Sequence, residues 1–379
     1  MRSIGSSSHS LFLFNGQFLK KAHAQANKYQ TTVYASYLFH TLKNPTGLAM
    51  SAEGITGLPG TPNLLIADTG NHIIRRFDLN SGTLITLAGS GTAGYVNSSL
   101  LLAEFNNPTG LDVVAKTATD QTRHYYWNVV YVGDSSNYVA RYFCSGNPHG
   151  TNSGCPPADE EVYTYAGNHT KGYVNGPPAS AEFAHLGGIH ASMGYGVDTE
   201  NHVLRGLGSS ITTFAGTGTA GFVNGYRTSA KFNSPTKMTA DASNNLYVSD
   251  AGNHVIRKID TSGNVTTFSG SGAIGYANGS PSAAKFVWPT SIVFNFADNY
   301  FYVADPINNM IRRIDLSGNV TTYSGATTAG YVNGSLSAAR YSNPTDLVIY
   351  AGVMYVSDTN NNAIRQIDMS TGIVSTFIN

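Results

Sequence analysis

The sequence predicts an all-β fold made of six similar units, and three repeated features support this prediction. Short segments of alternating apolar and polar residues are separated by turn-forming residues. A glycine–aromatic–x–asparagine element recurs between groups of such segments. Four short antiparallel strands per unit, repeated along the chain, are typical of a β-propeller. We therefore predict a six-bladed β-propeller with four-stranded antiparallel blades. The third feature is an aspartate–asparagine–arginine motif of fixed spacing, found at Asp68/Asn71/Arg75, Asp134/Asn137/Arg141, Asp198/Asn201/Arg205, Asp250/Asn253/Arg257, Asp305/Asn308/Arg312 and Asp358/Asn361/Arg365.

The clearest unit spans residues 235–270 and illustrates the strand pattern. Its four predicted strands are residues 237–240, 246–249, 255–260 and 265–268, with Ser-, Asn- and Gly-rich turns between them. The aspartate and asparagine of the motif fall at the turn between the second and third strands, where their short side chains can bond to the turn backbone. The arginine falls in the third strand and is expected to reach a carboxylate or carbonyl of a neighbouring blade. A residue that recurs in every unit more often stabilises the repeated fold than takes part in catalysis.

The second repeated element predicts a long crossover between blades. Its aromatic residue is expected to pack between neighbouring blades, and a later aromatic residue to start the next inner strand. Because both recur with the frame, a structural role is favoured over a binding role. The first aromatic residues are Tyr95, Tyr173, Phe222, Tyr276 and Tyr331, and the later ones are Phe105, Phe183, Phe232, Phe286 and Tyr341.

The motif strings resemble the NHL-repeat family, most clearly at residues 250–260 and 68–78 and in the Asn-Pro-Thr-Gly-Leu segments that begin at Asn44 and Asn107. The resemblance covers residues 44–379 and implies six blades, with starts near residues 44, 107, 185, 234, 289 and 344. Family members include ligand-sensing domains, RNA-binding domains of ubiquitin ligases and a zinc-dependent amidating lyase, so the resemblance implies the fold strongly and the function weakly. Blade 3 departs from the pattern, because it begins with His-Leu-Gly-Gly-Ile in place of a Pro-Thr element.

Composition argues against nucleic-acid binding and favours an extracellular location. The formal net charge is zero, only 12% of the residues are charged, and no basic run is present that would neutralise phosphates. Cys144 and Cys155 flank a polar loop of blade 2, and a disulfide between them would require an oxidising compartment. Two free thiols are the alternative. No transmembrane run is present, and a secretory signal is only weakly visible near residues 11–24.

Six N-glycosylation sequons add to the extracellular prediction, which includes the cell surface as a location. Three share one position of the crossover, and two share one hairpin, so all of these are expected to be exposed. N-linked glycan is therefore a possible attachment. The six asparagines are Asn97, Asn168, Asn264, Asn278, Asn319 and Asn333.

Residues 1–43 are surplus to the six predicted blades, because residues 346–378 already supply four strands to blade 6. We call residues 1–43 the N-terminal arm. Outer blade strands are exposed edges that invite pairing, so the arm is a candidate connector between subunits that would build an oligomer or fibre. Wrapping around its own propeller is the alternative. Its apolar and aromatic side chains include Leu11, Phe12, Phe14, Phe18, Tyr34 and Phe39.

An enzymatic function is the main alternative to a structural or protein-interaction role. His185 and His190 lie in the blade that breaks the pattern and are weak candidates for zinc ligands in a central channel. Weaker candidates are His72, His202 and His254, which follow the motif asparagine in blades 1, 3 and 4. Some six-bladed hydrolases hold calcium with carboxylates of the central channel. In this chain the candidate calcium ligands would be Glu104, Glu182, Asp112 and Asp346. No nucleophile elbow or phosphate loop is present, and no cofactor or catalytic residue is predicted. A glycan- or peptide-binding sensor is the third possibility.

Overall fold

Six antiparallel sheets account for the described structure, each with four main strands and two with a short fifth strand, and the predicted six-bladed propeller is confirmed. The computed structural model describes residues 41–51, 62–119, 124–146 and 161–379. Within these ranges the only helical segments are single 3-10 turns, most of them between the second and third strands of a blade. The N-terminal arm before residue 41 lies outside the described residues, and so does Cys155.

Each blade is built from consecutive strands, ordered from the channel outward. Blade 1 contains β1 (Pro45–Ser51), β2 (Asn63–Asp68), β3 (Ile73–Asp78) and β4 (Thr83–Ala88). Blade 2 contains β5 (Pro108–Thr119), β6 (His124–Asp134), β7 (Val139–Gly146) and β8 (Tyr163–Ala166). Blade 3 contains β9 (Leu186–His190), β10 (Tyr195–Asp198), β11 (Val203–Leu207) and β12 (Ile211–Ala215).

The remaining blades follow the same order, and two of them carry a short fifth strand outside the fourth. Blade 4 contains β13 (Gly225–Tyr226), β14 (Pro235–Ala240), β15 (Leu246–Asp250), β16 (Val255–Ile259) and β17 (Asn264–Ser269). Blade 5 contains β18 (Ser291–Asn295), β19 (Tyr300–Asp305), β20 (Met310–Ile314) and β21 (Val320–Gly325). Blade 6 contains β22 (Gly334–Ser335), β23 (Pro344–Tyr350), β24 (Val353–Asp358), β25 (Ala363–Asp368) and β26 (Ile373–Ile378).

Apolar clusters fill the space between each pair of neighbouring blades. Each cluster contains one large side chain from the segment that leads into the next inner strand. Full burial of such a side chain stabilises the fold by about 1.5–3 kcal/mol. The sequence predicts that the later aromatic residues start the inner strands, whereas they lie just before those strands and pack between the blades, with leucine at the sixth position. These side chains are Phe105, Phe183, Phe232, Phe286, Tyr341 and Leu42.

The ring closes between blades 1 and 6 through side-chain bonds to inner-strand backbone. Thr359 Oγ1 donates to the carbonyl of Pro45 at 2.7 Å. The backbone N–H of Leu48 donates to Asp346 Oδ2 at 2.8 Å. Since β1 to β4 and β23 to β26 already form two complete blades, the closure between residues 41 and 379 joins finished sheets.

Candidate functional site: the repeat frame and the central channel

The aspartate of the repeated motif organises the turn that follows the second strand of each blade. In blade 4, Asp250 Oδ1 accepts the backbone N–H of Asn233 at 2.7 Å, and Oδ2 accepts the side-chain amide of Asn253 at 2.8 Å. Equivalent bonds occur in the other five blades. Asparagine and aspartate therefore recur because they hold the turn against the start of the same blade's inner strand.

The motif arginine forms a fully buried ion pair with the aspartate of its own blade. Arg257 Nη1 lies 2.9 Å from Asp250 Oδ2, and the two side chains are 0% exposed. Arg257 also donates to the carbonyls of Lys231 and Val223 in the preceding crossover, at 2.9 Å each. The prediction that this arginine pairs with a carboxylate of a neighbouring blade is thus wrong. The third strand places the guanidinium directly beside the turn of its own blade, where it pairs with the motif aspartate. The alternative prediction, a hydrogen bond from the arginine to a backbone carbonyl, agrees with the structure.

Two aromatic rings cover each of these guanidinium groups in blades 2 to 6. Arg205 lies 5.2 Å from the ring centre of Tyr173 and 4.8 Å from that of Phe183. The Tyr173 hydroxyl also bonds Thr213 Oγ1 at 2.7 Å in the outer strand. The crossover aromatic residues therefore serve the frame through cation–π contacts, with one ring face covered and the outer edge exposed.

The three histidines that follow the motif asparagine accept a backbone hydrogen bond from the next blade. His72 Nδ1 accepts the N–H of Asn107 at 3.2 Å, and His254 Nδ1 accepts that of Trp288 at 3.2 Å. His202 does the same for Ser234 at 3.0 Å. Burial lowers the pKa of all three imidazoles, which keeps the acceptor nitrogen unprotonated. Each histidine thus braces a separate pair of blades.

Asparagine replaces histidine in this brace at two other blade boundaries. Asn309 Oδ1 accepts the N–H of Asn343 at 3.0 Å, and Asn362 Oδ1 accepts that of Asn44 at 2.8 Å. All these acceptor residues adopt a left-handed conformation, which asparagine and histidine tolerate better than most residues. Blade 2 has Tyr138 at this position, and the N–H of His185 turns to Asp198 Oδ1 at 3.4 Å. That bond lies within blade 3, so the side chain of Tyr138 does not supply the inter-blade acceptor that histidine or asparagine supplies in the other blades.

The central channel is lined by the inner strands of all six blades and holds a cavity of about 190 Å³. His185, Lys237 and Asp346 contribute to its wall. Lys237 forms an ion pair with Asp346, whose carboxylate also accepts Ser291 Oγ at 2.6 Å. Sequence reasoning missed Lys237 and Ser291, because nothing in the chain order indicates that they meet Asp346.

A second pair of facing titratable side chains joins the inner strands of blades 2 and 3. His190 Nδ1 is 4.0 Å from Asp112 Oδ2, which accepts the N–H of Ala191 at 2.6 Å. Burial raises the pKa of Asp112 although His190 opposes the shift, and burial lowers the pKa of His190. Of the four carboxylates considered for calcium, Asp112 and Asp346 belong to inner strands, whereas Glu104 and Glu182 pair within crossovers. Among the described residues no group of three His, Cys, Asp or Glu side chains could hold a metal ion.

The other predicted sites lie on the surface or partly outside the described residues. All six sequon asparagines are exposed. Cys144 is buried in β7, and its predicted disulfide stays a prediction because Cys155 lies outside the described ranges. No helix in the described part of the chain is long and apolar enough to cross a membrane.

Comparison with known proteins identifies the repeat. No family model matches the chain. NHL repeat-containing protein 2 of Gallus gallus is 25% identical over 343 residues, covering 82% of this chain and 45% of that protein. The chain is an NHL-repeat β-propeller. Protein SUPPRESSOR OF QUENCHING 1, chloroplastic, of Arabidopsis thaliana is 26% identical over 341 residues, covering 82% of this propeller and 29% of that protein. The NHL-repeat propeller thus spans less than half the length of these curated relatives.

Solved structures share the fold of this NHL-repeat propeller at low sequence identity. An auxiliary nutrient binding protein from Bacteroides thetaiotaomicron is 14% identical with a TM-score of 0.58, covering 89% of this chain and 70% of that one. A chain of a nidogen/laminin complex is 15% identical with a TM-score of 0.52, covering 84% and 93%. These similarities concern the fold alone.

Proposed function

We propose that this NHL-repeat propeller is a non-enzymatic extracellular module that assembles into an oligomer or fibre through its N-terminal arm. The observation that carries the proposal is that residues 45–378 supply four strands to every blade. The arm is therefore not needed as a blade strand. Its partner would be a second copy of this chain, and another extracellular protein is the alternative.

The outer edges of the blades support pairing with an added strand. In blade 4 the two-residue strand β13 pairs with β17, through Gly225 opposite Val265 and Tyr226 opposite Asn264. In blade 6, β22 pairs with β26 in the same way. Outer strands of this fold thus accept a further antiparallel segment by backbone hydrogen bonding, the mode by which extended segments bind sheet edges. Residues 30–35 of the arm resemble a blade's fourth strand in sequence and suit this mode.

The crossover face supports a role in protein contacts. Exposed apolar and aromatic side chains recur there at successive blade boundaries, and we call this set the crossover belt. Recurrent apolar exposure on one face is typical of interaction surfaces. Its members are Val96, Tyr173, Val174, Phe222, Val223, Tyr276, Tyr331 and Val332.

Exposed sequons support the extracellular part of the proposal. Asn278 is exposed, and its Oδ1 accepts Arg312 Nη2 at 2.9 Å, so this bond does not use the amide nitrogen that would carry a glycan. Asn264 and Asn319 lie exposed in equivalent hairpins. A glycan at any of these positions would be accommodated without entering the blade core.

Size measurement of three chains tests the proposal: the full chain, a variant lacking residues 1–29, and a control lacking residues 1–9. The control removes the polar beginning of the arm but keeps Leu11, Phe12 and Phe14. We expect light scattering and electron microscopy to show oligomers or fibres for the full chain and the control, and single propellers for the longer deletion. Identical monomers in all three samples would contradict the proposal. Retained assembly after deletion of residues 1–29 would do so as well.

A further inference from the structure

A cavity of about 450 Å³ lies between blades 3 and 4 and shares no lining residue with the cavity of the central channel. We call it the inter-blade cavity. Its volume is within the range of roughly 300–1,000 Å³ that is typical of sites for small ligands. Several of its lining residues are exposed, among them Tyr226 at 48%, so a ligand can enter directly from solvent.

Arg227 is the residue of this cavity that departs from the repeat. It lies three positions after the asparagine of the Gly-aromatic-x-Asn element, where the other four crossovers carry leucine or proline. The two leucines pack against the apolar clusters between blades. The charged side chain at this crossover therefore has no counterpart in the repeated fold, which favours a binding role over a structural one. The residues at the equivalent positions are Leu100, Pro178, Pro281 and Leu336.

The guanidinium of Arg227 rests on aromatic rings and keeps donors for a ligand. It lies 4.8 Å from the ring centre of Phe214 and 5.9 Å from that of Tyr226. Its side chain makes one hydrogen bond to the described residues, from Nη1 to the carbonyl of Phe214 at 3.3 Å. An arginine carries five N–H donors in a planar fork that matches a carboxylate. The stacked guanidinium is thus positioned to bind a carboxylate with its remaining donors.

Arg227 has no counter-charge from the described part of the protein, since no carboxylate there lies within ion-pair distance of its guanidinium. Asp260 lines the same cavity, but it accepts the backbone N–H and the side-chain amide of Asn264 at 2.8 and 3.0 Å. Asp315 makes the same bonds to Asn319 in blade 5, so Asp260 is a turn residue of the repeat. An anion in the cavity would supply the counter-charge that Arg227 lacks.

Apolar and aromatic side chains form another part of the cavity wall. The ring centres of Tyr195 and Phe214 are 4.2 Å apart, and Met193, Leu246 and Ile259 line the cavity with them. Removal of apolar surface from water stabilises a complex. This part of the wall therefore favours a ligand with an aromatic or branched aliphatic body over a small inorganic anion.

We propose that the inter-blade cavity binds a small carboxylic acid, with its carboxylate on Arg227 and an aromatic or branched aliphatic body on the apolar part of the wall. A neutral ligand would leave the guanidinium without a counter-charge. A doubly charged phosphate ester fits less well, because it would face a single guanidinium with Asp260 nearby. The proposal does not rest on assembly through the N-terminal arm.

Titration of the full chain with phenylacetate, isovalerate, phenylacetamide and acetate tests the proposal, read by saturation-transfer NMR and calorimetry at neutral pH. Phenylacetate or isovalerate is expected to bind at millimolar concentration. Phenylacetamide has the shape of phenylacetate without its charge, so it is expected to bind at least tenfold more weakly. Acetate keeps the charge but lacks the apolar body, and it is expected to be weaker by a similar factor.

Arg227→Leu is the decisive variant, because it installs the residue that the crossovers with Leu100 and Leu336 carry and is therefore compatible with the fold. It is expected to weaken binding of the carboxylate at least tenfold. Arg340→Leu is the matched control, since it makes the same substitution in another crossover. There Arg340 donates to the carbonyls of its own segment, away from the cavity lining. Its affinity for the carboxylate is expected to equal that of the parent chain.

Three results would overturn the proposal. The first is absence of binding by both phenylacetate and isovalerate, and the second is equal affinity for phenylacetate and phenylacetamide. The third is carboxylate binding that Arg227→Leu leaves unchanged or that Arg340→Leu weakens equally. The comparison of the acid with its amide uses the parent chain, so it remains decisive if a variant fails to fold.

Discussion

Arg257 and Asp250 form an ion pair from which solvent is completely excluded, with Nη1 2.9 Å from Oδ2. Phe222 and Phe232 cover the guanidinium, with ring centres at 5.2 Å each. Two crossover carbonyls and Asn224 Oδ1 accept further hydrogen bonds from it, whereas its buried Nε has no partner. The pair therefore joins a turn, a strand and a crossover in one contact, which explains why the motif recurs in every blade.

Replacement of Arg257 by methionine is expected to lower the free energy of unfolding by about 3–5 kcal/mol, because it leaves a buried carboxylate without its partner. Chemical denaturation measures the change. Lys171→Met is the matched control, since the Lys171–Glu200 pair is about half exposed, at 54% and 48%. Exposed pairs contribute little, so the control should unfold like the parent chain. Equal losses in the two variants would refute a special role for the buried pair.

The brace histidines predict a pH dependence of stability. Burial lowers the pKa of His72, His202 and His254 in the folded protein, so the unfolded chain takes up protons first below the ordinary value of 6.5. The contribution of these groups is fully present above pH 6.5 and is lost as the pH falls below it. Protonation of Nδ1 also removes the acceptor of the inter-blade bond.

A triple variant with asparagine at these three positions isolates the effect, because Asn309 and Asn362 already make the same bond in other blades. We expect denaturation curves of the parent chain and the triple variant to agree near pH 8. Below pH 6.5 the parent should lose stability more steeply. Nearby Lys43, Asp198, Glu200 and Asp305 are present in both chains, so their titration largely cancels in the comparison. Parallel curves across the whole range would exclude the histidines as the cause.

The hydroxyl of Thr199 is expected to contribute nothing to folding, in contrast to its counterpart in blade 6. Thr359 Oγ1 bonds both Thr345 and the carbonyl of Pro45, and Thr359→Ala should cost about 1–3 kcal/mol because it removes both of these buried bonds. Thr199→Ala removes a hydroxyl that has no protein partner, so its free energy of unfolding should be unchanged or slightly raised. Thermal and chemical unfolding compare the two variants. A large loss from Thr199→Ala would show that the folded chain itself satisfies this hydroxyl.

Tyr331 is expected to stabilise the fold mainly through its ring. Its centre lies 4.9 Å from the Arg365 guanidinium, and its hydroxyl bonds Thr376 at 3.0 Å. Tyr331→Ala should cost about 1–2 kcal/mol from the lost cation–π contact and packing. Tyr331→Phe should cost less than about 1 kcal/mol, since blade 4 carries Phe222 at this position and lacks the hydroxyl. Equal losses in the two variants would show that the hydrogen bond dominates.

Much of the fold could be predicted from the sequence, because the contacts that define each blade are short-range and recur in every unit. The spacing of Asp250, Asn253 and Arg257 places all three at one turn and the strand after it. The absence of a Pro-Thr element in blade 3 was also visible, and it marked the blade where Gly187 interrupts the channel wall. The consequence, a buried Thr199 hydroxyl without a partner, required knowledge of which side chains the inner strands bring together.

The sequence by itself determined the number of blades, the strand pattern and the structural role of the repeated motif, because these depend on short-range periodicity that every unit repeats. Only the tertiary structure decided the composition of the channel. Lys237 and Asp346 are separated by 109 positions and meet because ring closure points the inner strands of six blades at one axis. Such contacts depend on how each blade is rotated relative to the next, and a local sequence pattern does not contain that information.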